Sequence, residues 1–88
     1  MAEKVSRAKI KKEVVAKLES AAEPSKPIKE GHRLEQDLGM GSTFRAGMAK
    51  PYTKISERYG GKRVLIKEAR KLKTVKASIN LVHKKANA

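Results

Sequence analysis

The stretch at residues 6–22, SRAKIKKEVVAKLESAA, decides the fold class. Ile10, Val14 and Leu18 recur in it every four residues, and charged side chains fill most of the positions between them. Apolar residues at this spacing share one face of an α-helix. Ser6 is a favourable N-cap for such a helix, and a proline two residues beyond the stretch ends it. The stretch therefore predicts an amphipathic helix with one buried face.

A second periodic segment covers residues 44–59 and ends at two glycines. Pro51 lies inside it. Because proline lacks a backbone N–H and pushes the preceding residue out of the helical region, we expect this helix to be kinked or split at Pro51. The predicted apolar face consists of Phe44, Met48, Tyr52, Ile55 and Tyr59, and basic side chains lie nearly opposite.

Two shorter segments near the C-terminus also have helical patterns. Residues 66–72 predict a short helix, and Thr74 can cap the helix that follows. The residues of that last helix predicted to face the core are Val75, Ile79 and Val82.

The order of these segments predicts an all-α bundle of four helices in a single domain over residues 1–88. Residues 23–36 contain two prolines and a glycine without apolar periodicity, and so predict a long loop. Residues 1–5 and 86–88 lie outside the helical patterns, and we expect them to fray.

The composition is strongly basic. Lys and Arg number 22 against 9 Asp and Glu, which gives a formal net charge of +13. Residues 41–62 carry five basic side chains and one acidic, and residues 63–88 carry eight and one. Like charge at this density destabilises a compact chain unless salt or a polyanion neutralises it. We therefore expect an acidic partner, with nucleic acid as the first candidate.

Several kinds of chemistry are not indicated by the sequence. The chain has no cysteine, which excludes disulfides and thiol nucleophiles, and His32 and His83 lie in different segments, so we expect no metal site. The run GMGST at residues 39–43 lacks the strand and the Gly-Lys-Ser/Thr ending of a P-loop. No apolar run is long enough to span a membrane, and residues 1–12 do not resemble a secretory signal. We expect a non-enzymatic, cytoplasmic protein that has no cofactor and binds no membrane.

One part of the sequence resembles a known family. The run LEQDLG at residues 34–39 is followed by Ser42 at a predicted helix start, and residues 68–79 are similar to a third helix, a Thr-Val turn and a fourth helix. These motifs, in this order, resemble the acyl carrier protein family over about 80 residues. The resemblance implies an acyl-carrier-like bundle of four helices. It also implies that Ser42 carries 4′-phosphopantetheine, whose arm holds the acyl group.

The sequence departs from that family at two points. Gly41-Ser42-Thr43 stands where the family has Asp-Ser-Leu, and if Phe44 takes the Leu position, Thr43 replaces the serine. The second helix of the family is acidic, because basic surfaces of partner enzymes recognise it. Here that helix carries four basic side chains and one acidic side chain. Facing like charges cost several kcal/mol, so this pattern favours a carrier-like fold with another use.

Three hypotheses about function follow from the sequence. The favoured one is a module that binds a polyanion such as nucleic acid, mainly by electrostatic attraction. The second is a divergent carrier with 4′-phosphopantetheine on Ser42, for which the structural alternative is a helix N-cap. The third is an adaptor for an acidic protein partner, or a homodimer formed through Met48 and Tyr52. The candidate polyanion-binding residues are Arg45, Lys50, Lys54, Arg58, Lys73, Lys76 and Lys84.

Overall fold

The computed structural model describes residues 4–22 and 27–88. Within those ranges the regular structure is helical, no strand forms, and one isolated antiparallel bridge joins Arg33 to Thr74. The all-α class predicted from the sequence is therefore confirmed. The helices are α1 (Arg7–Ala22), α2 (Ser42–Gly47), α3 (Ala49–Arg58), α4 (Ile66–Arg70) and α5 (Val75–Ala86).

The three longer helices, α1, α3 and α5, pack against one another, and α4 packs against α2. Ile10, Val14 and Leu18 are fully buried, as the apolar stripe of α1 predicts. Ser6 caps this helix, because its hydroxyl accepts the backbone N–H of Lys9 at 3.3 Å. Buried residues outside α1 complete the core, among them Met48, Tyr52, Ile55, Ala69, Val75, Ile79 and Val82.

The second predicted helix is split into α2 and α3, but the break lies at Met48 and not at Pro51. Pro51 has no N–H to donate to the carbonyl of Gly47, four residues earlier, and its ring crowds that carbonyl. The first helix therefore ends at Gly47, and Pro51 lies in the first turn of α3, where no N–H is required. Lys50, which the sequence places outside the helical region, stays within α3.

The break changes which side chains of this segment are buried. Phe44 is 44% exposed, so the prediction that it faces the core is wrong. That prediction placed residues 44–50 in one helical segment, whereas the break at Met48 makes α2 a separate helix that packs on α4. Tyr52 is buried as predicted, and its hydroxyl has no hydrogen-bond partner among the described residues. Burial raises the pKa of Tyr52 to about 12, and the influence of Ser78 opposes this rise by a smaller amount.

Helix α3 ends in a turn made by Gly60 and Gly61, as the sequence predicts. Gly60 has a φ of 75°, a left-handed conformation that glycine adopts without strain. The N–H of Gly60 donates to the carbonyl of Glu57, and the N–H of Gly61 donates to the carbonyl of Ser56, both at 3.0 Å. This pair of bonds is the Schellman motif. The turn brings Gly61 against the C-terminal end of α5.

The loop predicted at residues 23–36 follows an irregular path from residue 27 onward, and its first four residues lie outside the described chain. Ile28 and Leu34 are buried and anchor it to the core. The first two backbone N–H groups of α5 donate to carbonyls of this loop, both at 3.0 Å. The loop is therefore fixed against the start of α5.

Of the segments predicted to fray, residues 1–5 and 86–88, the described parts pack together instead. Val5 and Ala86 are buried. The side-chain amide of Asn87 accepts the backbone N–H of Val5 at 3.1 Å and donates to the carbonyl of the same residue at 3.1 Å. This side chain satisfies backbone groups that precede α1, which no local sequence pattern indicates.

Candidate functional site

Most acidic side chains of the described chain form ion pairs with basic side chains of the same chain. The Glu30 carboxylate lies 2.6 Å from the Arg7 guanidinium and 3.1 Å from the Lys11 ammonium. Hydrogen bonds from these two cations lower the pKa of Glu30 to about 2. Glu30 thereby ties the loop to α1.

Glu13 makes a similar connection between α1 and the end of α3. Its carboxylate pairs with the Arg58 guanidinium and accepts a hydrogen bond from the Tyr59 hydroxyl at 2.5 Å. That hydrogen bond raises the pKa of Tyr59, because it stabilises the protonated phenol. Further ion pairs join Arg33 to Asp37, Arg45 to Glu35, and Lys85 to Glu68.

Helix α3 carries two exposed lysines, Lys50 and Lys54, that form no ion pair with any described acid. They border a groove of about 380 Å³ between α3 and the segment that follows it, which we call the α3 groove. Ile66, 59% exposed, and Val64 line the groove, and Glu57 is its one acidic lining residue within the described chain. The lysines therefore flank a partly apolar surface.

Thr53 fixes the shape of the α3 groove. Its hydroxyl donates to the carbonyl of Val64 at 3.2 Å and accepts the backbone N–H of the same residue at 2.8 Å. The segment that carries Val64 is consequently held beside α3.

A second concave surface, the basic cleft, has a volume of about 450 Å³. Arg45 lines it, but much of its guanidinium is committed to the protein. The Arg45 Nε donates to the carbonyl of Arg70 at 3.1 Å, and its Nη1 donates to the carbonyl of Met40 at 3.2 Å. The cleft is lined by Arg33, Glu35, Gln36, Arg45, Lys73 and Thr74.

The remaining basic candidates lie on other parts of the surface. Arg58 is paired with Glu13. Lys76 and Lys84 are exposed on α5, about 12 Å apart along the helix axis. The structure therefore distributes the predicted residues over separate surfaces: Lys50 and Lys54 at the α3 groove, Arg45 and Lys73 at the basic cleft, and Lys76 and Lys84 on α5.

Ser42 is the first residue of α2 and is exposed. The N-cap of this helix is Gly41, whose backbone is extended. The alternative prediction, that Ser42 itself is the N-cap, is therefore wrong. Its hydroxyl forms no hydrogen bond with the described residues. The hydroxyl is therefore accessible at the start of a helix.

The two histidines lie apart, His32 in the loop and His83 in α5. The Nδ1 of His32 accepts the backbone N–H of Lys29 at 3.1 Å. Within residues 4–22 and 27–88, no three His, Asp or Glu side chains come together as metal ligands. No helix of the described chain combines the length and apolarity needed to cross a membrane.

No protein-family model, curated protein or solved structure matches the chain. The surfaces themselves therefore carry the functional proposal. Sequence reasoning missed Arg33 and Thr74 as members of the basic cleft, and Ile66 as a lining residue of the α3 groove. No local sequence signal indicates these residues. The cleft forms where a bridge joins Arg33 to the distant Thr74, and the groove is shaped by the hydrogen bond from the Thr53 hydroxyl to Val64.

Proposed function

We propose that the protein is a non-enzymatic module that binds a polyanion such as nucleic acid through exposed lysines of α3 and α5. The observation that carries this proposal is the distribution of charge. Acids pair mostly within the fold, whereas Lys50, Lys54, Lys76 and Lys84 are exposed and form no ion pair with a described acid. Such a surface attracts phosphates and raises their local concentration. The cytoplasmic location expected from the sequence belongs to the same proposal.

The α3 lysines suit contact with a phosphate backbone. Lys50 and Lys54 are about 6 Å apart along the helix axis, and each ammonium can neutralise one phosphate and release its counterions. Stacking on bases requires exposed aromatic rings. Tyr52 is fully buried and the Tyr59 hydroxyl is bound to Glu13. The one clearly exposed aromatic ring of the described chain is that of Phe44, which lies on α2 and not on α3 or α5. We therefore propose binding that depends strongly on salt and little on base sequence.

Removal of charge from two different surfaces tests this proposal. One variant combines Lys50→Gln with Lys54→Gln, and its control combines Lys9→Gln with Lys12→Gln on α1, where both lysines are also exposed. Both variants lose two charges. The measurement is the slope of log affinity against log salt concentration for duplex DNA.

We expect the α3 variant to lose about 1.8 from the magnitude of that slope, since each phosphate contact contributes about 0.9. The α1 control should change the slope much less, and the circular dichroism spectrum of both variants should stay helical. An unchanged slope in the α3 variant, or equal changes in both, would reject α3 as the contact surface. Absence of binding at low salt would reject the polyanion function itself.

A second candidate function is that of a divergent carrier with 4′-phosphopantetheine on Ser42. The accessible Ser42 hydroxyl supports it, together with the resemblance of the sequence to acyl carrier proteins. The basic outer face of α3 argues against the usual basic partner enzymes, so this candidate requires a partner with an acidic surface.

Intact-mass measurement after co-expression with a broad-specificity phosphopantetheinyl transferase tests the carrier candidate. A mass addition that Ser42→Ala abolishes and Thr43→Ala retains would establish the attachment at Ser42. The reverse pattern would move the attachment to Thr43, and no addition to the unmodified sequence would reject the candidate.

A further inference from the structure

The basic cleft is a concave site whose described lining residues include neither the α3 lysines nor Ser42. Among the described residues, three cationic side chains, those of Arg33, Arg45 and Lys73, line it together with one carboxylate, that of Glu35. We infer that this cleft binds a small phosphate-bearing anion. The inference is independent of the polyanion function, because the α3 lysines take no part in it.

Backbone hydrogen bonds hold two walls of the cleft together. The N–H of Leu34 donates to the carbonyl of Lys73 at 2.8 Å, and the antiparallel bridge joins Arg33 to Thr74. Arg33 and Lys73 therefore project from adjacent segments whose backbones are fixed. A ligand that binds between them does not have to order the chain, which lowers the entropic cost of binding.

Arg45 forms a third, more rigid wall. Its side chain is 14% exposed and is held by the carbonyls of Arg70 and Met40 and by the Glu35 carboxylate at 3.5 Å. These contacts use Nε and Nη1, and no described residue accepts from Nη2. One amino group of a fixed guanidinium thus remains as a donor for a ligand oxygen.

Thr74 adds a neutral donor to the cleft. Its hydroxyl oxygen accepts the backbone N–H of Ala77 at 3.0 Å, so its own O–H remains able to donate. The first N–H groups of α5 are already bonded to the loop and to this hydroxyl. Side chains, and not the helix terminus, therefore supply the donors.

The composition of the cleft selects the class of ligand. Three cations line it against the carboxylate of Glu35, and Arg33 also lies 4.0 Å from the exposed carboxylate of Asp37, which is not among the described lining residues. Several donors and excess positive charge match the oxygens of a phosphate group, which is multiply charged. No aromatic residue of the described chain lines the cleft, so these residues offer no stacking surface for a base. The group recognised is the phosphate itself.

A titration of ¹⁵N-labelled protein with inorganic pyrophosphate, at constant ionic strength, tests the inference. We expect saturable shifts in the amide signals of Arg33, Lys73 and Thr74. Lys73→Gln should weaken binding about tenfold, and Glu35→Gln should strengthen it about threefold, because they remove charges of opposite sign at one site. The variant with Lys50→Gln and Lys54→Gln serves as the control and should bind pyrophosphate unchanged.

Non-saturating shifts spread over all basic surfaces would overturn the inference. So would equal affinity losses in the Lys73 variant and the α3 control, or no gain in the Glu35 variant. A short oligonucleotide with and without a 5′-phosphate identifies the source of the group. Preference for the 5′-phosphate over pyrophosphate assigns the cleft to a nucleic-acid end, and indifference to it assigns the cleft to a small ligand.

Discussion

Replacement of Gly61 by alanine tests the close approach of the turn after α3 to the C-terminal end of α5. A Cβ atom on Gly61 would lie 2.5 Å from the Cα of Ala86 and 2.6 Å from the Oγ of Ser56, and closer still to the carbonyl oxygen of Lys85. Non-bonded carbon atoms prefer separations of about 3.5 Å or more. Two of the three overlapping atoms belong to the backbone of α5, so rotation of a side chain cannot relieve the overlap.

The alanine should therefore move the end of α3 away from α5 by about 1 Å. This movement disrupts the bond from the N–H of Lys62 to the carbonyl of Lys85, which is 2.9 Å long. Overpacking costs about 1–3 kcal/mol, and one lost hydrogen bond adds about 1 kcal/mol. We expect Gly61→Ala to lower the free energy of unfolding by about 3 kcal/mol, a large share of the about 5–15 kcal/mol typical of a folded domain.

Urea unfolding followed by far-ultraviolet circular dichroism measures this loss as a lower midpoint at an unchanged slope. Gly60→Ala and Gly47→Ala are matched controls, since a Cβ at either position meets no atom within 4 Å. Gly60→Ala should cost about 1–2 kcal/mol because its φ is positive, and Gly47→Ala should stabilise by about 0.5–1 kcal/mol. A loss in Gly61→Ala no larger than that in Gly60→Ala would refute the reasoning.

Three other side chains give expected outcomes in unfolding experiments. Thr74→Ala removes the N-cap bond of α5 and should cost about 1 kcal/mol in urea unfolding, which Thr74→Ser should largely restore. The pKa of Glu30 is about 2, below its ordinary 4.5, so its stabilisation is present above pH 4.5 and is lost as the pH falls toward 2. The Glu30→Gln variant should therefore lose less free energy of unfolding than the unmodified protein between pH 4.5 and pH 2. The pKa of Tyr52 is raised from 10 to about 12, so its contribution is lost as the pH rises through that interval, and Tyr52→Phe should unfold less readily in alkali.

The helices could be predicted because their signals are local. The spacing of Ile10, Val14 and Leu18 specifies the buried face of α1, and Thr74 caps α5 through a bond to a residue only three positions away. The break in the second helix could be predicted to exist but was misplaced. Proline acts on the carbonyl four residues before it, so the helix ends at Gly47.

The surfaces could be predicted only as a set of charges. Periodicity places Lys50 and Lys54 on the outside of α3, as the structure has them. It does not show that Arg58 is paired with Glu13, or that Arg45 is bonded to backbone carbonyls. Both pairings join segments distant in sequence, and the packing of the helices determines them. The net charge of each segment therefore indicates the sign of the charge on a partner. It does not show which basic side chains are free to contact that partner.

Ion pairs made by the carboxylates hold together the segments of a chain whose net charge is +13. The basic side chains that outnumber the acids are left exposed to solvent. Glu13 connects α1 to the end of α3, Glu30 connects the loop to α1, and Glu68 connects α4 to Lys85 of α5. Acids used in this way leave the exposed lysines to repel one another, which destabilises the free protein at low salt.

Salt should therefore raise the unfolding midpoint of the free protein, because it screens this repulsion. If the polyanion proposal is right, DNA at about 100 times its dissociation constant adds about 2.7 kcal/mol of stability, and salt then lowers the midpoint because it weakens the phosphate contacts. The sign of the salt effect should reverse on addition of DNA. A basic surface that binds no polyanion gives a midpoint that rises with salt whether or not DNA is present. Thermal unfolding at several salt concentrations, with and without DNA, therefore distinguishes such a surface from one that binds DNA. A midpoint that rises with salt in both cases, with no increment from DNA, would contradict the proposal.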